Sequence, residues 1–436
     1  MLWLVNSMDR PTELPVVPFA SMNSKTRPRP PLGVLCLTLA SFGCTKASSP
    51  SPKATEPTAT PEESADAELQ RLAMLGYLDY AETSPADQQS FGVLVHDEER
   101  SEGGFVLLSH IPTATADLID LEGRTLRRWE FEGAERLIRA RLLSNGDLLA
   151  VTEEQTWQQM RQSKQVEKEP RSLRRLDPSG AELWRLRSEW HHDARELEDG
   201  SLIALDSRTH LTDRGVSTRF RDELLTRLSA DGEVLESRSL YEMLVGSPGT
   251  AGLLEPPLRG DVFHANSFAW IEGAALDADH PFFGGPAALV SVRELDLVTA
   301  FRWSDGEFLW SFGPGELLGQ HEATLTQGGS VLLFDNGDQS RRYSRILTID
   351  PRTNQIERDW SADSPETFYS GSRGTVQELP GGNLLVANSN AGEVFELDPG
   401  GAIVWHYRTP VTDSKGRTAT LRAEWVQTTA IEPGPR

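Results

Sequence analysis

Short apolar stretches alternate with glycine-containing turns from about residue 104 onward, and two kinds of hairpin recur. The first kind has Asn-Gly, Asp-Gly or Gly-Gly turns, which favour tight β-hairpins because these residues tolerate positive φ. It has five clear copies: LIRARLLSNGDLLAV, HDARELEDGSLIAL, HANSFAWIEG, HEATLTQGGSVLLF and GTVQELPGGNLLVA. The second kind is a turn followed by an apolar strand that usually holds a tryptophan, as in SLRRLDPSGAELWRL and VFELDPGGAIVWHY, and it has six copies.

Two hairpins make a four-stranded sheet, and a series of such sheets is typical of a β-propeller. The six copies of the second hairpin predict six blades. The blade that contains residues 104–133 lacks a hairpin of the first kind, so the stretch TLRAEWVQT at 420–428 is expected to complete it. The predicted fold is therefore all-β, a six-bladed β-propeller closed by a C-terminal strand, which leaves few exposed edges.

Tryptophans recur at a fixed offset from the turns of the second hairpin. Because they sit in apolar strands, they are predicted to fill the core between blades rather than to form a set that stacks on a cofactor. These residues are Trp129, Trp184, Trp310, Trp360 and Trp405.

Residues 1–44 are interpreted as a targeting segment, and they hold both cysteines of the chain, Cys36 and Cys44. The stretch MNSKTRPRPPLGVLCLTLASFGC, which begins at Met22, has a basic start, a short apolar core and a Gly-Cys junction. Its core is too short to span a bilayer. It resembles a bacterial lipoprotein signal, which implies Met22 as the start and a periplasmic or cell-surface protein anchored to the membrane only through a lipid on Cys44. An ordinary cleaved secretory signal is the alternative.

The segments that follow are expected to lead into the propeller. Residues 45–63 are rich in Ser, Pro, Thr and Ala, which predicts a flexible linker. Residues 64–103 are expected to supply a helix and a lead-in, because leucines recur at helical spacing from Leu69 to Leu78. The propeller is then predicted to span residues 104–436.

The formal net charge is −22, from 43 basic and 65 acidic residues. This balance argues against a nucleic-acid partner and against an anionic membrane surface, since both are bound through clustered Lys and Arg. An anionic ligand must therefore be held by a local cationic pocket.

Histidine occupies one repeat position in three consecutive predicted blades. His192 lies eight residues before the turn glycine Gly200, and His321 lies eight before Gly329. His264 lies nine residues before the glycine of its own hairpin, an offset that a longer turn absorbs. In a propeller the first strand of each blade lines the central channel, so these three side chains are expected to converge on one mouth of it.

The repeat itself does not need histidine there, because two other blades have Ile138 and Gly374 at this position. Strand side chains alternate between faces, so His264 and Asn266 are predicted to point the same way. An anionic ligand also needs a charged partner, and Arg293 lies in the same blade as His264.

Each of these residues has a plainer explanation. A single histidine on a strand is more often structural than a ligand, and an isolated arginine is usually solvated or paired. That explanation weakens when three of nine histidines share one repeat position. His191 is expected to point away from His192 and ranks below it. The other histidines are expected to be structural or loop residues: His96, His110, His210, His280 and His406.

Four motifs occur in order within these repeats: HHDARELEDGSLIAL, DVFHANS, SVRELD and QHEATLTQGGSVLLFDNG. Together they resemble the arylsulfotransferase family, bacterial aryl-sulfate sulfotransferases with a six-bladed propeller, over roughly residues 104–430. The resemblance implies transfer of sulfate from an aryl sulfate donor to a phenolic acceptor without a nucleotide. It further implies that His321 is the nucleophile that becomes a sulfohistidine, and that the sulfuryl group is lined by His192, His264, Asn266 and Arg293.

These residue types suit sulfuryl transfer. Its transition state is loose and in line, with negative charge on the oxygens, so catalysis depends on positioning and on positive donors. A neutral imidazole nitrogen can attack sulfur, while arginine, asparagine and a second imidazole hold the oxygens and protonate the departing phenolate. This chemistry demands neither a metal nor a nucleotide cofactor.

Two other hypotheses stay open on the sequence alone. Several histidines that converge with Asp193 suit a transition metal, as in propeller hydrolases. The Asp-Pro-x-Gly and Trp repeats also resemble quinoprotein-like propellers, which include quinone-dependent enzymes and scaffolds that only bind partners. A scaffold has no use for three channel histidines.

Overall fold

The computed structural model describes residues 90–154, 171–212, 218–247, 249–254 and 258–427. Within these ranges 26 strands form six sheets, each with four antiparallel strands in a simple meander. Two sheets carry one extra strand, and one of these two strands, at Gly260–Asp261, pairs parallel to its neighbour. The six-bladed propeller predicted from the hairpins is confirmed. Gly200 and Gly329 take positive φ, 77° and 84°, at the predicted tight turns.

The strands follow one another along the chain, blade by blade. A leading strand, β1 (Gly92–His96), precedes β2 (Phe105–His110), β3 (Thr115–Ile119) and β4 (Thr125–Glu130) of the first blade. The second blade has β5 (Arg136–Leu142), β6 (Leu148–Glu153), β7 (Arg171–Leu176) and β8 (Glu182–Ser188). The third has β9 (Ala194–Glu196), β10 (Leu202–Thr212), β11 (Thr218–Leu228) and β12 (Val234–Ser239).

After the third blade come the one α-helix of the described residues, α1 (Leu240–Val245), and a two-residue strand, β13 (Gly260–Asp261). The fourth blade has β14 (Ala265–Ile271), β15 (Ala287–Val292), β16 (Leu297–Arg302) and β17 (Phe308–Phe312). The fifth has β18 (His321–Leu325), β19 (Val331–Asp335), β20 (Arg345–Asp350) and β21 (Gln355–Trp360). The sixth has β22 (Thr375–Glu378), β23 (Leu384–Asn388), β24 (Glu393–Leu397) and β25 (Ile403–Arg408), and β26 (Leu421–Val426) ends the series.

The C-terminal strand closes the ring as predicted. β26 pairs antiparallel with β2, from Leu421 opposite His110 to Val426 opposite Phe105, so it is the innermost strand of the first blade. At the other end, β1 pairs with β25 and adds a fifth strand to the sixth blade. That strand lies in the range for which the sequence predicts a helix and a lead-in.

The hydrophobic core lies in clusters between neighbouring blades. Trp129, Trp310 and Trp405 are at most 5% exposed within these clusters. Trp184 and Trp360 are partly buried and pack against two others. The prediction that the repeat tryptophans fill the inter-blade core is confirmed.

The predicted signal segment, the linker and the helix from Leu69 to Leu78 lie outside the described residues. Within the described ranges, no helix has both the length and the apolar character needed to cross a membrane.

Candidate active site

Three of the predicted site residues meet at one cavity at the end of the central channel. His192 and His264 lie just before β9 and β14, and His321 is the first residue of β18, so all three sit at the start of an innermost strand. Their side chains line the same cavity. His264 and His321 are each 3% exposed. The structure thus brings together the histidines that the repeat alignment singles out.

The tautomer of His321 is set by its neighbours. Its Nδ1 lies 3.0 Å from the carbonyl oxygen of Gly319 and 2.8 Å from Oδ1 of Asn336. The amide nitrogen of Asn336 donates to the carbonyl oxygens of Ser370 and Arg373, which fixes Oδ1 toward the histidine. Because both partners of Nδ1 are acceptors, Nδ1 carries the hydrogen and Nε2 keeps its lone pair.

The Nε2 atom of His321 accepts a hydrogen bond from the backbone N–H of Arg373, at 3.2 Å. Burial, reinforced by the charges of Arg293 and Arg422, holds the pKa of His321 well below its usual value. The ring is therefore neutral near pH 7, and its free electron pair lies on the nitrogen next to a backbone donor.

A hydrogen-bonded chain connects His192, His264 and Asp261. The two Nε2 atoms of the histidines are 3.1 Å apart, and Nδ1 of His264 lies 2.8 Å from Oδ2 of Asp261. Asp261 is placed by β13, which pairs with β11 opposite Arg221. Burial alone raises the pKa of Asp261, but the charge and hydrogen bond of His264 outweigh it and hold this pKa well below its usual range. Asp261 is therefore a carboxylate that orients His264.

His191 also lines the cavity, so the expectation that it points away from His192 is wrong. The two ring centroids are 5.1 Å apart. Alternation of side chains requires extended backbone, and His192 has a left-handed φ of 57°. Nε2 of His191 lies 2.6 Å from a carboxylate oxygen of Glu223. Burial raises the pKa of Glu223 to about 8 and lowers the pKa of His191 well below its usual value.

Asn266 and Arg293 contact the residues that precede His321. The side-chain amide of Asn266 donates to the carbonyl oxygen of Gln320 at 2.8 Å. The guanidinium of Arg293 lies over Gly319, where an added Cβ would be 3.6 Å from Nη2. Simple alternation does not apply to His264, because its φ is 47° and the register of β14 shifts directly after Ala265.

The acids that follow two of the site histidines point into the channel and are neutralised there. Asp193 accepts two hydrogen bonds from Arg141, at 2.9 and 3.0 Å. Glu322 forms a bidentate pair with Arg139, both bonds at 2.6 Å. Both acids are buried, and neither is among the residues that line the cavity.

The metal hypothesis needs Asp193 beside the histidines, but Arg141 holds that carboxylate. Within the residues described, no three His, Cys, Asp or Glu side chains are arranged to ligate one ion. Because Arg141 holds Asp193, this carboxylate is not free to join the histidines as a metal ligand.

Cationic side chains complete the cavity. The residues that line it include one acid, Glu153, and four arginines: Arg136, Arg171, Arg373 and Arg422. In a chain with a net charge of −22 this is a concentrated positive patch, as an anionic ligand requires. Ile111 and Ile138 add apolar surface.

Several residues of the site were missed by sequence reasoning. Asp261 lies in the motif DVFHANS and Asn336 lies in the motif QHEATLTQGGSVLLFDNG. Each is therefore in the same motif as the histidine to which it hydrogen-bonds, and this proximity in sequence is a signal that could have identified it. Arg422 lies on the closing strand, which has no hairpin of the first kind with which to align it.

The fold and the cavity define a six-bladed β-propeller with a histidine- and arginine-lined site on its axis. The family model for arylsulfotransferase (ASST) matches residues 172–410, more than half of the chain. The chain belongs to the arylsulfotransferase family, which supports aryl sulfotransferase activity in general terms, with aryl sulfates and phenols as substrates.

No curated protein matches the chain. Among solved structures, a protein of unknown function from Bacteroides caccae is 15% identical with a TM-score of 0.46, over 74% of this chain and 99% of that one. Virginiamycin B lyase from Staphylococcus aureus is 12% identical with a TM-score of 0.40, over 76% and 87%. A periplasmic gluconolactonase from Pseudomonas aeruginosa is 14% identical with a TM-score of 0.40, over 74% and 99%. These values support no conclusion about activity.

Proposed function

We propose that the protein moves a sulfuryl group from an aryl sulfate to a phenolic acceptor without a nucleotide donor, in a ping-pong reaction through a sulfohistidine at His321. The observation that carries this proposal is the tautomer of His321. Gly319 and Asn336 hold its Nδ1–H, so that the lone pair of Nε2 is available in a cationic cavity. A histidine held in this way is an activated nucleophile.

In the first half-reaction, Nε2 of His321 attacks the sulfur of the donor. An S–N bond forms and the S–O bond to the phenol breaks, so the electron pair leaves with the phenolate. For this step the His192–His264 pair carries one proton beyond its neutral state, balanced by the carboxylate of Asp261. It gives this proton to the phenolate and becomes neutral. In the second half-reaction, an acceptor phenol returns a proton to this pair and attacks sulfur. The S–N bond breaks and His321 regains its lone pair.

Negative charge on the sulfuryl oxygens needs fixed donors. The backbone N–H of Arg373 is already directed at Nε2 of His321 and can bond to an oxygen once sulfur occupies that nitrogen. In this proposal Arg293 adds positive charge beside Gly319, and Asn266 fixes the carbonyl group that directly precedes the nucleophile.

Steady-state kinetics test the proposal. The purified protein is given 4-nitrophenyl sulfate and a phenol, with no nucleotide present, at several concentrations of each. Parallel double-reciprocal lines and loss of turnover in His321→Ala are expected. The matched control is His280→Ala, because His280 is also 3% exposed but bonds to the carbonyl of Gly329 in a turn. Full turnover by His321→Ala, or activity that chelators remove and a metal restores, contradicts the proposal.

The protein is also proposed to be anchored outside the cytoplasm through a lipid on Cys44, on the basis of the signal-like N-terminal segment. Cys44→Ser is expected to move the protein from the membrane fraction to the soluble fraction, and Cys36→Ser is the control. A native N-terminus without acylation contradicts this localisation.

A further inference from the structure

Arg422 reaches the cavity from the strand that closes the propeller. It is the second residue of β26, opposite Ser109 of β2, and it is 2% exposed. Its side chain lines the cavity together with His192 and His321. Its positive charge contributes to the lowered pKa values of both histidines. The strand that closes the ring therefore places a cation at the site, and this cation does not come from the repeated hairpins.

The guanidinium of Arg422 is poorly paired. Its Nε and Nη1 atoms are buried and have no hydrogen-bond partner among the described residues. The nearest acid is Glu322, whose Oε2 lies 3.8 Å from Nη1. That carboxylate already has its bidentate pair with Arg139.

The charges around Arg422 do not balance. The channel network consists of four guanidinium groups and three carboxylates: Arg139, Arg141, Arg195 and Arg422 with Asp193, Glu322 and Glu424. Arg141 bonds to two of these acids, Asp193 and Glu424. Arg422 is the member left with only a long contact to an acid.

A buried cation without a close partner destabilises a fold, because its desolvation is not offset. Burial, followed by repulsion from Arg139, lowers the pKa of Arg422 to about 10, so it stays charged near pH 7. The Arg422 guanidinium lowers the stability of the fold and lies at the cavity, so it is suited to bind an anion there.

We infer that Arg422 binds the oxygens of a tetrahedral sulfur oxyanion in the cavity, and that this oxyanion is the sulfuryl group of the donor. The inference rests on the proposed function for the identity of the donor. Free inorganic sulfate has the same chemistry, so the experiment must separate the two sources.

Binding is measured first with inorganic sulfate, by calorimetry on the whole protein. Arg422→Gln is expected to weaken sulfate binding at least tenfold, while its midpoint of thermal unfolding stays equal or rises. Arg141→Gln is the matched control, because Arg141 lies in the same channel but is fully paired. It is expected to lower the midpoint of unfolding and to leave sulfate binding within a few-fold of wild type.

Kinetics with 4-nitrophenyl sulfate form the second arm. If Arg422 binds the donor, Arg422→Gln raises both the KM for the donor and the inhibition constant for sulfate by tenfold or more. Arg422→Lys keeps the charge but loses the planar guanidinium. Its KM for the donor and its inhibition constant for sulfate are expected to lie between those of wild type and those of Arg422→Gln.

Unchanged sulfate binding in Arg422→Gln overturns the inference, and so does a wild-type protein that does not bind sulfate. A variant that loses sulfate binding but keeps donor kinetics overturns the assignment to the sulfuryl group. If the proposed function is wrong but Arg422 binds the oxyanion, the wild type has no transferase activity while its sulfate binding still depends on Arg422.

Discussion

The Nε2 atom of His192 lies 3.1 Å from the Nε2 atom of His264. At this distance one imidazole donates a hydrogen and the other accepts it, so a single proton lies between the two rings. Asp261 accepts the hydrogen on Nδ1 of His264 and thereby fixes the orientation of that ring. The arrangement places a transferable proton at the cavity in which a phenolate is released.

Asp261→Asn is expected to slow turnover by roughly 100-fold, the lower end of the range for a positioned proton donor. The loss should be larger with phenyl sulfate than with 4-nitrophenyl sulfate, because the poorer leaving group depends more on protonation. The measurement is kcat for both donors, with KM for the donor little changed. Asp277→Asn is the control, since the side chain of Asp277 is 86% exposed. An equal loss for both donors contradicts a role in proton transfer.

Asn336→Ala is expected to reduce the rate of the first half-reaction at least tenfold, because Nδ1 of His321 then keeps only the carbonyl oxygen of Gly319 as an acceptor and the ring is oriented less firmly. The carbonyl oxygens of Ser370 and Arg373 also lose their donor, which should lower the free energy of unfolding by about 1–3 kcal/mol. Rapid-mixing measurement of the 4-nitrophenolate burst tests the first effect and chemical denaturation tests the second. An unchanged burst rate in a less stable variant shows that Asn336 only supports the fold.

Stability should depend on pH through Glu223. Burial raises its pKa to about 8 in the folded protein, above the ordinary carboxyl value. The contribution of protonated Glu223 to the free energy of unfolding is complete below the pKa that this carboxyl has in the unfolded chain. It is lost as the pH rises through 8, by at most about 1.4 kcal/mol per pH unit. Between pH 7 and 9 the free energy of unfolding should therefore fall in wild type.

Glu223→Gln should remove much of this fall, because the amide stays neutral like the protonated acid. Denaturation at pH 7 and 9 measures the effect, and the exposed Glu307→Gln serves as control. A separate effect is expected at acidic pH, because burial lowers the pKa values of His191, His192 and His321. These histidines lower the free energy of unfolding as the pH falls below the ordinary imidazole pKa. An equal fall in wild type and Glu223→Gln contradicts the buried, protonated acid.

The blade count, the closing strand and the three cavity histidines could be predicted because each depends on local strand and turn geometry that repeats. The turn glycine fixes the register of a hairpin, so counting back from Gly200 and Gly329 locates His192 and His321. The position of His191 could not be predicted. It depends on a left-handed backbone at His192, which a β-strand pattern does not indicate.

The charges of the channel were equally inaccessible. Glu322 pairs with Arg139 across 183 residues of sequence, and Arg422 meets the network only because β26 closes the ring. Such pairs depend on how distant blades come together, and a single sequence carries no local signal for that.

The proposed ping-pong reaction requires that His321 carries the sulfuryl group covalently. The direct measurement is intact-protein mass spectrometry after mixing with 4-nitrophenyl sulfate and no acceptor, followed by peptide mapping under mildly alkaline conditions that preserve an N-sulfonated imidazole. We expect one sulfuryl mass increment on the peptide that contains His321, its loss when a phenol is added, and its absence in His321→Ala. An unmodified wild-type protein that still turns over, or an increment on a peptide without His321, would contradict it.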